Sequence, residues 1–523
     1  MAIYLNPGND AFRLALNSQI YVDKTDLIEI INQMIDTNDR FICVSRPRRF
    51  GKSMTANMLT AYYDKSVDSK SLFYGKKITD YSSFETHLNK YNVLFLNIQT
   101  FLSRAPSPDT MIHYLEEKVV SELKECYPDI VLEETKLAPC LERIYVKTKE
   151  TFIIILDEWD CIFREKRLEH ESQVMYLDFL RDLLKDKTYV SLAYMTGILP
   201  VKKYGTHSAL NMFSEYSMTN PKILAKYTGF TESEVQQLCF EYDMDFEVTK
   251  SWYDGYHFRK EAHIYNPKSV VECMRNDEYD SYWTQTETYE ALKYYIVMNF
   301  DGLKDAVIDM LSGTHIKINT FKFQNDMTTF QSKDDVLTLL IHLGYLAYDA
   351  TNQEVFIPNK EVELEFQNAI EGAGWDEVIS AIKNSDELLK ATISGNSAYV
   401  AKAIEQVHMD NTSILMYNDE NSLRCVMVLA YFSAKRFYTI HHEFASGKGY
   451  ADLVLIPMGN PADYPAMIIE LKRNKGAESA IKQIIDNRYD NSLKKYAGNL
   501  LMVGMNYDEK TKEHTCIIQR TTL

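Results

Sequence analysis

What this chain lacks narrows it before what it contains. Its eight cysteines include no CxxC pair, so neither a zinc ribbon nor a disulfide framework is indicated. No apolar run approaches the unbroken length of a membrane span, and the opening MAIYLNPGNDAF carries no signal-peptide pattern; the expectation is a cytoplasmic chain with no membrane partner. Positive charge is in deficit: 57 Lys and Arg against 74 Asp and Glu leave a net charge of −17. That excludes a surface coating nucleic acid indiscriminately, while a local basic groove remains compatible. What is present is an ordinary globular composition, 46% hydrophobic and 25% charged over 523 residues. This length exceeds one core and suggests about three domains.

The most informative stretch is FICVSRPRRFGKS at 41–53, an apolar run that ends in a basic loop closed by Gly51, Lys52 and Ser53. Gly51 would let backbone N–H groups approach phosphate, Lys52 would bring a point charge to the outer phosphates, and Ser53 would offer a hydroxyl to Mg2+. One glycine is missing, because the first glycine of GxxxxGK[ST] falls at Arg46. The loop Arg46, Pro47, Arg48, Arg49 and Phe50 exchanges backbone freedom for positive charge, and a helix from Met54 follows. Residues 46–54 are therefore the candidate ATP-binding segment.

A partner for that loop appears in TFIIILDEWD at 151–160, where Phe152 to Leu156 suit a strand buried on both faces and two carboxylates follow. In a Walker B arrangement Asp157 would hold Mg2+ through water and Glu158 would polarise the water that attacks the γ-phosphate. Thr196, at the end of the strand VSLAYMT, has two readings: a γ-phosphate sensor or a strand cap.

Three regions emerge. Residues 1–221 alternate strands and helices, with strands at 41–45, 93–98, 152–156 and 189–196 and a fifth near 215–219, which predicts an α/β P-loop-type parallel sheet with helices on both faces. Residues 222–419 read as mainly helical. Thr231 and Glu234 form a capping box, WYDGYHF at 252–258 suggests interdomain packing, and a helix at 335–343 with the hairpin GYLAYD…EVFIPN resembles a winged helix. The acidic Glu361, Glu363 and Glu365 after it favour a lid over a DNA reader. Residues 420–523 predict a helix at 421–435, strands at 437–445, 450–456 and 465–471, a helix at 476–489, and strands near 500–505 and 514–519, an α/β fold of restriction-endonuclease type.

Strand alternation in this last region puts Glu470 and Lys472 on one face, with Asp452 on the neighbouring strand. Two such carboxylates can hold Mg2+, a nearby lysine can assist water attack on a phosphodiester, and Glu443 would be a third oxygen ligand. The buried flanks Ile468, Ile469 and Leu471 argue against a solvated ion pair, since charges there are costly without a task. Gln483 and Tyr489 on the following helix either touch DNA or orient Lys472, or are simply a surface glutamine and a packed tyrosine. His441 and His442, adjacent on one strand, point to opposite faces and cannot chelate together.

Together these motifs resemble a family of bacterial proteins that joins an AAA-ATPase-like domain to a C-terminal PD-(D/E)XK nuclease-superfamily domain. The resemblance rests on YVDKTDLI (21–28), RPRRFGKS (46–53), ILDEWD (155–160), TGILPV (196–201), WYDGY (252–256), YNP (265–267), GYL (344–346), IPN (357–359), GKGYADLVL (447–455) and IIELK (468–472). It implies that Arg46 is a family habit and that Asp452, Glu470 and Lys472 match the nuclease motif. It also suggests a role in phage defence or mobile-element biology, with nucleic acid as partner, DNA ahead of RNA, and room for a homo-oligomer. A nucleotide-dependent switch or scaffold with a non-cleaving C-terminal fold is the alternative. A nuclease without ATPase activity, its arginine loop gripping a nucleic-acid backbone, is a third reading.

Overall fold

The computed structural model describes residues 2–521 apart from 165–169, 202–209, 260, 284–287, 299, 312, 326–329, 374, 411–425, 428, 447–448, 459–463, 488–492, 494–495 and 497. It divides into two compact units, Met1–Thr286 with Lys317–Glu363, and Glu287–Ile316 with Leu364–Leu523.

The first unit is built on a five-stranded parallel sheet: β1 (Phe41–Ser45), β2 (Asn92–Asn97), β3 (Phe152–Asp157), β4 (Val190–Gly197) and β5 (Ser214–Tyr216), in the order β2-β3-β4-β1-β5. Every residue of β1, β3 and β4 is buried. Successive side chains point to opposite faces, so both faces of the sheet are covered. Each large side chain buried here contributes about 1.5–3 kcal/mol relative to exposure. The helix Lys52–Tyr63 supplies one cover, packing Ala56, Leu59 and Tyr63 with Ile42, Val44, Ile153 and Ile155. Because β4 lies between β3 and β1, the loops after β1 and β3 leave the carboxyl edge on either side of β4, where such sheets bind ligands.

The edge strand β5 is shorter than its sequence suggests. Ser217 and Asn220 exchange backbone hydrogen bonds, and this turn ends the pairing with β1. Arg46 holds that edge in place: its Nη1 donates to the carbonyls of Ser45 and Tyr216, both at 2.8 Å, and its guanidinium lies 5.1 Å from the Phe258 ring centroid.

Beyond the sheet, Thr231 and Glu234 form the expected capping box. The aromatic segment forms more strand than anticipated: Tyr256–Phe258 and Glu261–Tyr265 pair antiparallel, with Phe230–Thr231 alongside. The helix Lys333–Leu343 is followed by the antiparallel strands Ala347–Asp349 and Glu354–Phe356, as the pattern implied. Glu361, one of the acidic residues after the hairpin, is buried in the first unit. It is 1% exposed, and its carboxylate accepts from the N–H groups of Tyr282 and Trp283 and from the Ser269 hydroxyl.

The second unit carries a five-stranded sheet, β6 (Tyr438–Ser446), β7 (Gly449–Pro457), β8 (Ala466–Arg473), β9 (Leu500–Tyr507) and β10 (His514–Thr521), in sequential order. Only the β8–β9 pair is parallel. A parallel pair needs a crossover, and the helix Ala477–Asp486 provides it, burying Ile481 and Ile484 against Val454 and Ile468. Of the helix expected at 421–435, residues 421–425 and 428 lie outside the described residues, 426–427 and 429–430 are helical, and a 3-10 helix follows at Phe432–Arg436; Tyr489 and residues 447–448 also lie outside the described residues.

At one end of this unit His408 Nδ1 and His514 Nε2 share a 3.0 Å hydrogen bond, with the Tyr507 ring packed against both. Glu405 accepts from the His514 backbone N–H. Burial, then His408, pushes His514 down to about 4; burial and Lys512 lower His408. A histidine with a depressed folded pKa favours the fold above its unfolded value of about 6.5 and ceases to do so as pH falls through the folded value. Thermal unfolding followed from pH 7 to pH 4 should therefore show a progressive loss of stability that His514→Asn partly flattens.

Candidate functional site

The loop after β1 reaches the head of the helix Lys52–Tyr63 through two left-handed residues, Arg49 (φ 68°) and Gly51 (φ 86°). Glycine adopts that conformation at no steric cost, and the turn leaves the helix head open to an anion. The head faces a cleft of about 650 Å³ lined by Arg48, Arg49, Gly51, Lys52, Ser53, Met54, Asn97, Gln99, Thr100, Glu158 and Arg164. Four of these side chains are cations and one is an anion, so the cleft favours a polyanion. Lys52 is 4% exposed and donates to the carbonyls of Arg46 (3.0 Å) and Pro47 (2.8 Å). Burial lowers its pKa, opposed by Glu158, Asp160 and Asp157.

The remaining predicted residues fall in three places. Asp157, 1% exposed, sits behind the cleft: its Oδ1 accepts from the Thr196 hydroxyl (2.5 Å) and its Oδ2 from Asn97 Nδ2 (3.2 Å). Glu158 reaches the cleft from a left-handed backbone (φ 55°) and is ion-paired with Arg164. Arg46, Pro47 and Phe50 do not line the phosphate cleft. Arg46 is fully buried, its pKa lowered to about 9 by burial, with Nε and Nη2 unbonded among the described residues. Pro47 packs against Gly344, whose φ of 91° suits glycine and whose replacement by alanine would put a Cβ 2.7 Å from Pro47 Cβ. The Phe50 ring stands edge-on to Tyr256 at 5.2 Å. Arg49 Nη1 donates to the carbonyls of Tyr282 and Trp283, both at 3.0 Å.

Sequence reading missed Asn97, Asp160 and Arg164. Asp160 is 0% exposed and accepts at Oδ2 from the N–H groups of Ile198 (3.0 Å) and Leu199 (2.8 Å), tying the end of β3 to the turn after β4. The acid was visible in DEWD, and its i, i+4 spacing to Arg164 was the available signal. Asn97 was marked only as the polar end of an apolar strand.

A second cavity, of about 610 Å³, adjoins the first and shares Arg49, Gly51 and Met54 with it. Its walls are largely apolar: Ile20, Tyr21, Val22, Phe50, Met58, Tyr227, Phe230 and Val271, with Lys24, Lys268 and Arg275 among the polar lining.

In the second unit, Asp452 on β7 and Glu470 on β8 are brought together as expected. Asp452 Oδ2 accepts from the Leu471 N–H at 2.7 Å. Glu470 is 1% exposed; its Oε1 accepts from Lys472 Nζ at 2.8 Å and from Gln483 Nε2. Burial first, and then Asp452, raise its pKa, while the Lys472 hydrogen bond opposes them. Its Oε2 is buried with no hydrogen-bond partner among the described residues, a fit for an acceptor that awaits a cation. Pairing of His442 with Leu453 and of Phe444 with Ala451 brackets Glu443 opposite Asp452 on the backbone; its side chain lies outside the described residues.

Comparison with known proteins bears on both sites. Residues 9–206 match the family model described as a predicted AAA-ATPase, and residues 418–515 match the PD-(D/E)XK nuclease superfamily. The first match covers the segment that carries the phosphate loop and the second the segment that carries Asp452 and Glu470. No curated protein matches it. Among solved structures it is similar to the Aeropyrum pernix ORC2 protein in ADPNP-ADP complexes, with 10% identity over 70% of this chain and 98% of that one, TM-score 0.30. A second is the Aeropyrum pernix ORC1 protein in complex with DNA, with 9% identity over 88% and 96% of the two chains, TM-score 0.24. Among the described residues no helix is long and apolar enough to cross a membrane.

A raised folded pKa means that Glu470 costs stability once it ionises. The sign follows from proton binding: above the ordinary carboxylate range the unfolded chain has released a proton that the folded chain still holds, so stability falls with rising pH through that window. Glu470→Gln should raise the melting temperature at neutral pH, with the gain shrinking as pH is lowered. Melting curves of both proteins across pH 4 to 8 check this.

Proposed function

We propose that this protein binds and hydrolyses ATP through residues 1–221, closes on the nucleotide with a lid drawn from residues 222–419, and uses residues 420–523 as a metal-dependent phosphodiesterase acting on nucleic acid, DNA ahead of RNA. The observation that carries the reading is the cleft in which the head of the helix Lys52–Tyr63, Lys52 and Ser53 face Glu158. Phosphates would accept from the first N–H groups of the helix, with Lys52 leaving the Arg46 and Pro47 carbonyls to pair with them. The adjoining apolar cavity suits the base and ribose. As a water oxygen bonds to the γ-phosphorus, the bond from that phosphorus to the β,γ-bridging oxygen breaks, ADP departs with the electron pair, and Glu158 receives the water's proton.

In the second unit Lys472 would steady the water that attacks a phosphodiester, one P–O ester bond breaking as the new one forms. Mg2+ would supply charge neutralisation at both sites, with Ser53 and Asp157 as holders at the first and Asp452, Glu470 and Glu443 at the second. The alternative is a nucleotide-dependent switch whose C-terminal fold binds without cutting.

The test is cleavage of single-stranded DNA, double-stranded DNA and RNA, with and without ATP and Mg2+. We expect Mg2+-dependent cleavage that responds to ATP, is abolished by Asp452→Ala and by Lys472→Ala, and loses its ATP response in Lys52→Ala, whose ATP affinity should fall by about 10- to 100-fold. ATP binding with every nucleic acid left intact would instead establish the switch.

A further inference from the structure

Arg164 lines the phosphate cleft together with Lys52 and Ser53, yet its charge is already committed. Its Nη2 pairs with Glu158 and its Nε lies 3.3 Å from Asp160 Oδ2. The two acids differ in kind. Asp160 is sealed at 0% exposure and fixed by the N–H groups of Ile198 and Leu199, so it is a rigid anchor. Glu158, with its side chain 22% exposed, stands at the cleft on a left-handed backbone that a non-glycine residue adopts only under constraint. The guanidinium is thus held beside Asp160 by charge, its buried Nε close to Oδ2 without a hydrogen bond, and presents its Nη edge to the cleft, where it can exchange partners while that ion pair stays.

The pair with Glu158 has a chemical consequence. The guanidinium occupies Glu158 Oε2, an oxygen that would otherwise accept from the attacking water, so Glu158 is already engaged in this arrangement. A γ-phosphate in the cleft offers a guanidinium three oxygens and more negative charge than one carboxylate. ADP offers no such group.

We propose that Arg164 is a γ-phosphate sensor acting within its own chain: pivoting on Asp160, it leaves Glu158 for the terminal phosphate of a bound nucleoside triphosphate and so frees Glu158 for the attacking water. The proposal rests on the ATP reading of the cleft and adds to it a device that separates triphosphate from diphosphate. Asp157 and Lys52 bind either nucleotide; Arg164 responds to one.

The experiment titrates the full-length protein, in Mg2+, with β,γ-imido-ATP and with ADP, and measures ATP hydrolysis alongside. The wild type should prefer the imido analogue. Arg164→Ala should lower its affinity for that analogue about 10-fold with ADP affinity unchanged, and reduce kcat at least as much; Arg164→Lys should restore part of both. Glu158→Gln, which releases the arginine, should tighten binding of the imido analogue by a few-fold, and the gain should vanish in the Glu158→Gln, Arg164→Ala double variant. An Arg164→Ala protein that binds ADP normally and keeps its full preference for the analogue overturns the proposal and leaves the ATP reading standing. So does one that loses both nucleotides equally, since the arginine would then only hold the fold. A wild type that binds neither nucleotide while melting cooperatively overturns both.

Discussion

Asp157 and Asp160 are sealed at the end of β3, 1% and 0% exposed, and Lys52 is sealed across from them at 4%. Buried charge is tolerated only where neighbours supply hydrogen bonds and counter-charge. The carboxyl edge of the sheet is organised around that requirement: Thr196 and Asn97 satisfy Asp157, the turn after β4 bonds Oδ2 of Asp160, and the loop carbonyls of Arg46 and Pro47 occupy Lys52. Each of these partners is neutral or part of the backbone, while a charged neighbour of Asp160, Arg164, is poised at the cleft. An edge so arranged can exchange its cations for phosphate.

The second unit meets the same requirement less fully. Glu470 shares Oε1 between Lys472 and Gln483 and leaves Oε2 buried without a hydrogen bond among the described residues. Burial, and then the second carboxylate, Asp452, raise the pKa of the group and cost stability, a pattern common where a site is shaped for a ligand instead of for the fold. The middle of the first unit serves a different end. Gly344 against Pro47, Tyr256 against Phe50, and Arg49 on the carbonyls of residues 282 and 283 attach the phosphate loop to the segments after the sheet, so a change in the loop is felt there.

How much of this was legible in the sequence depended on the kind of signal. Buried strands such as FICVS and FIIILD announce themselves, because burial on both faces demands an unbroken apolar run. The pairs Gly51–Lys52 and Asp157–Glu158 could be found because they end such runs, and Asp452 with Glu470 because carboxylates inside buried strands are costly. Arg46 misled, since a charge in a basic loop reads as a phosphate ligand, and only coordinates reveal that its guanidinium turns under the sheet edge to Tyr216. Glu361 carries no spacing signal for its burial: only the backbone N–H groups of residues 282 and 283 set against it explain how its charge is tolerated there. Asn97 and Arg164 act through partners distant in sequence or hidden by a turn, and no spacing rule weights them.

The central claim is that the loop at 46–53 closes on the phosphates of a nucleotide. The measurement that addresses it most directly is an experimental structure of the full-length protein with a non-hydrolysable ATP analogue and Mg2+. The account predicts triphosphate at the head of the helix Lys52–Tyr63, the Lys52 ammonium moved off the Pro47 carbonyl, from which it now lies 2.8 Å, and onto phosphate oxygens, and the base in the apolar cavity beside Phe50 and Met54. Nucleotide density elsewhere, with Lys52 still bound to the loop carbonyls, would contradict it.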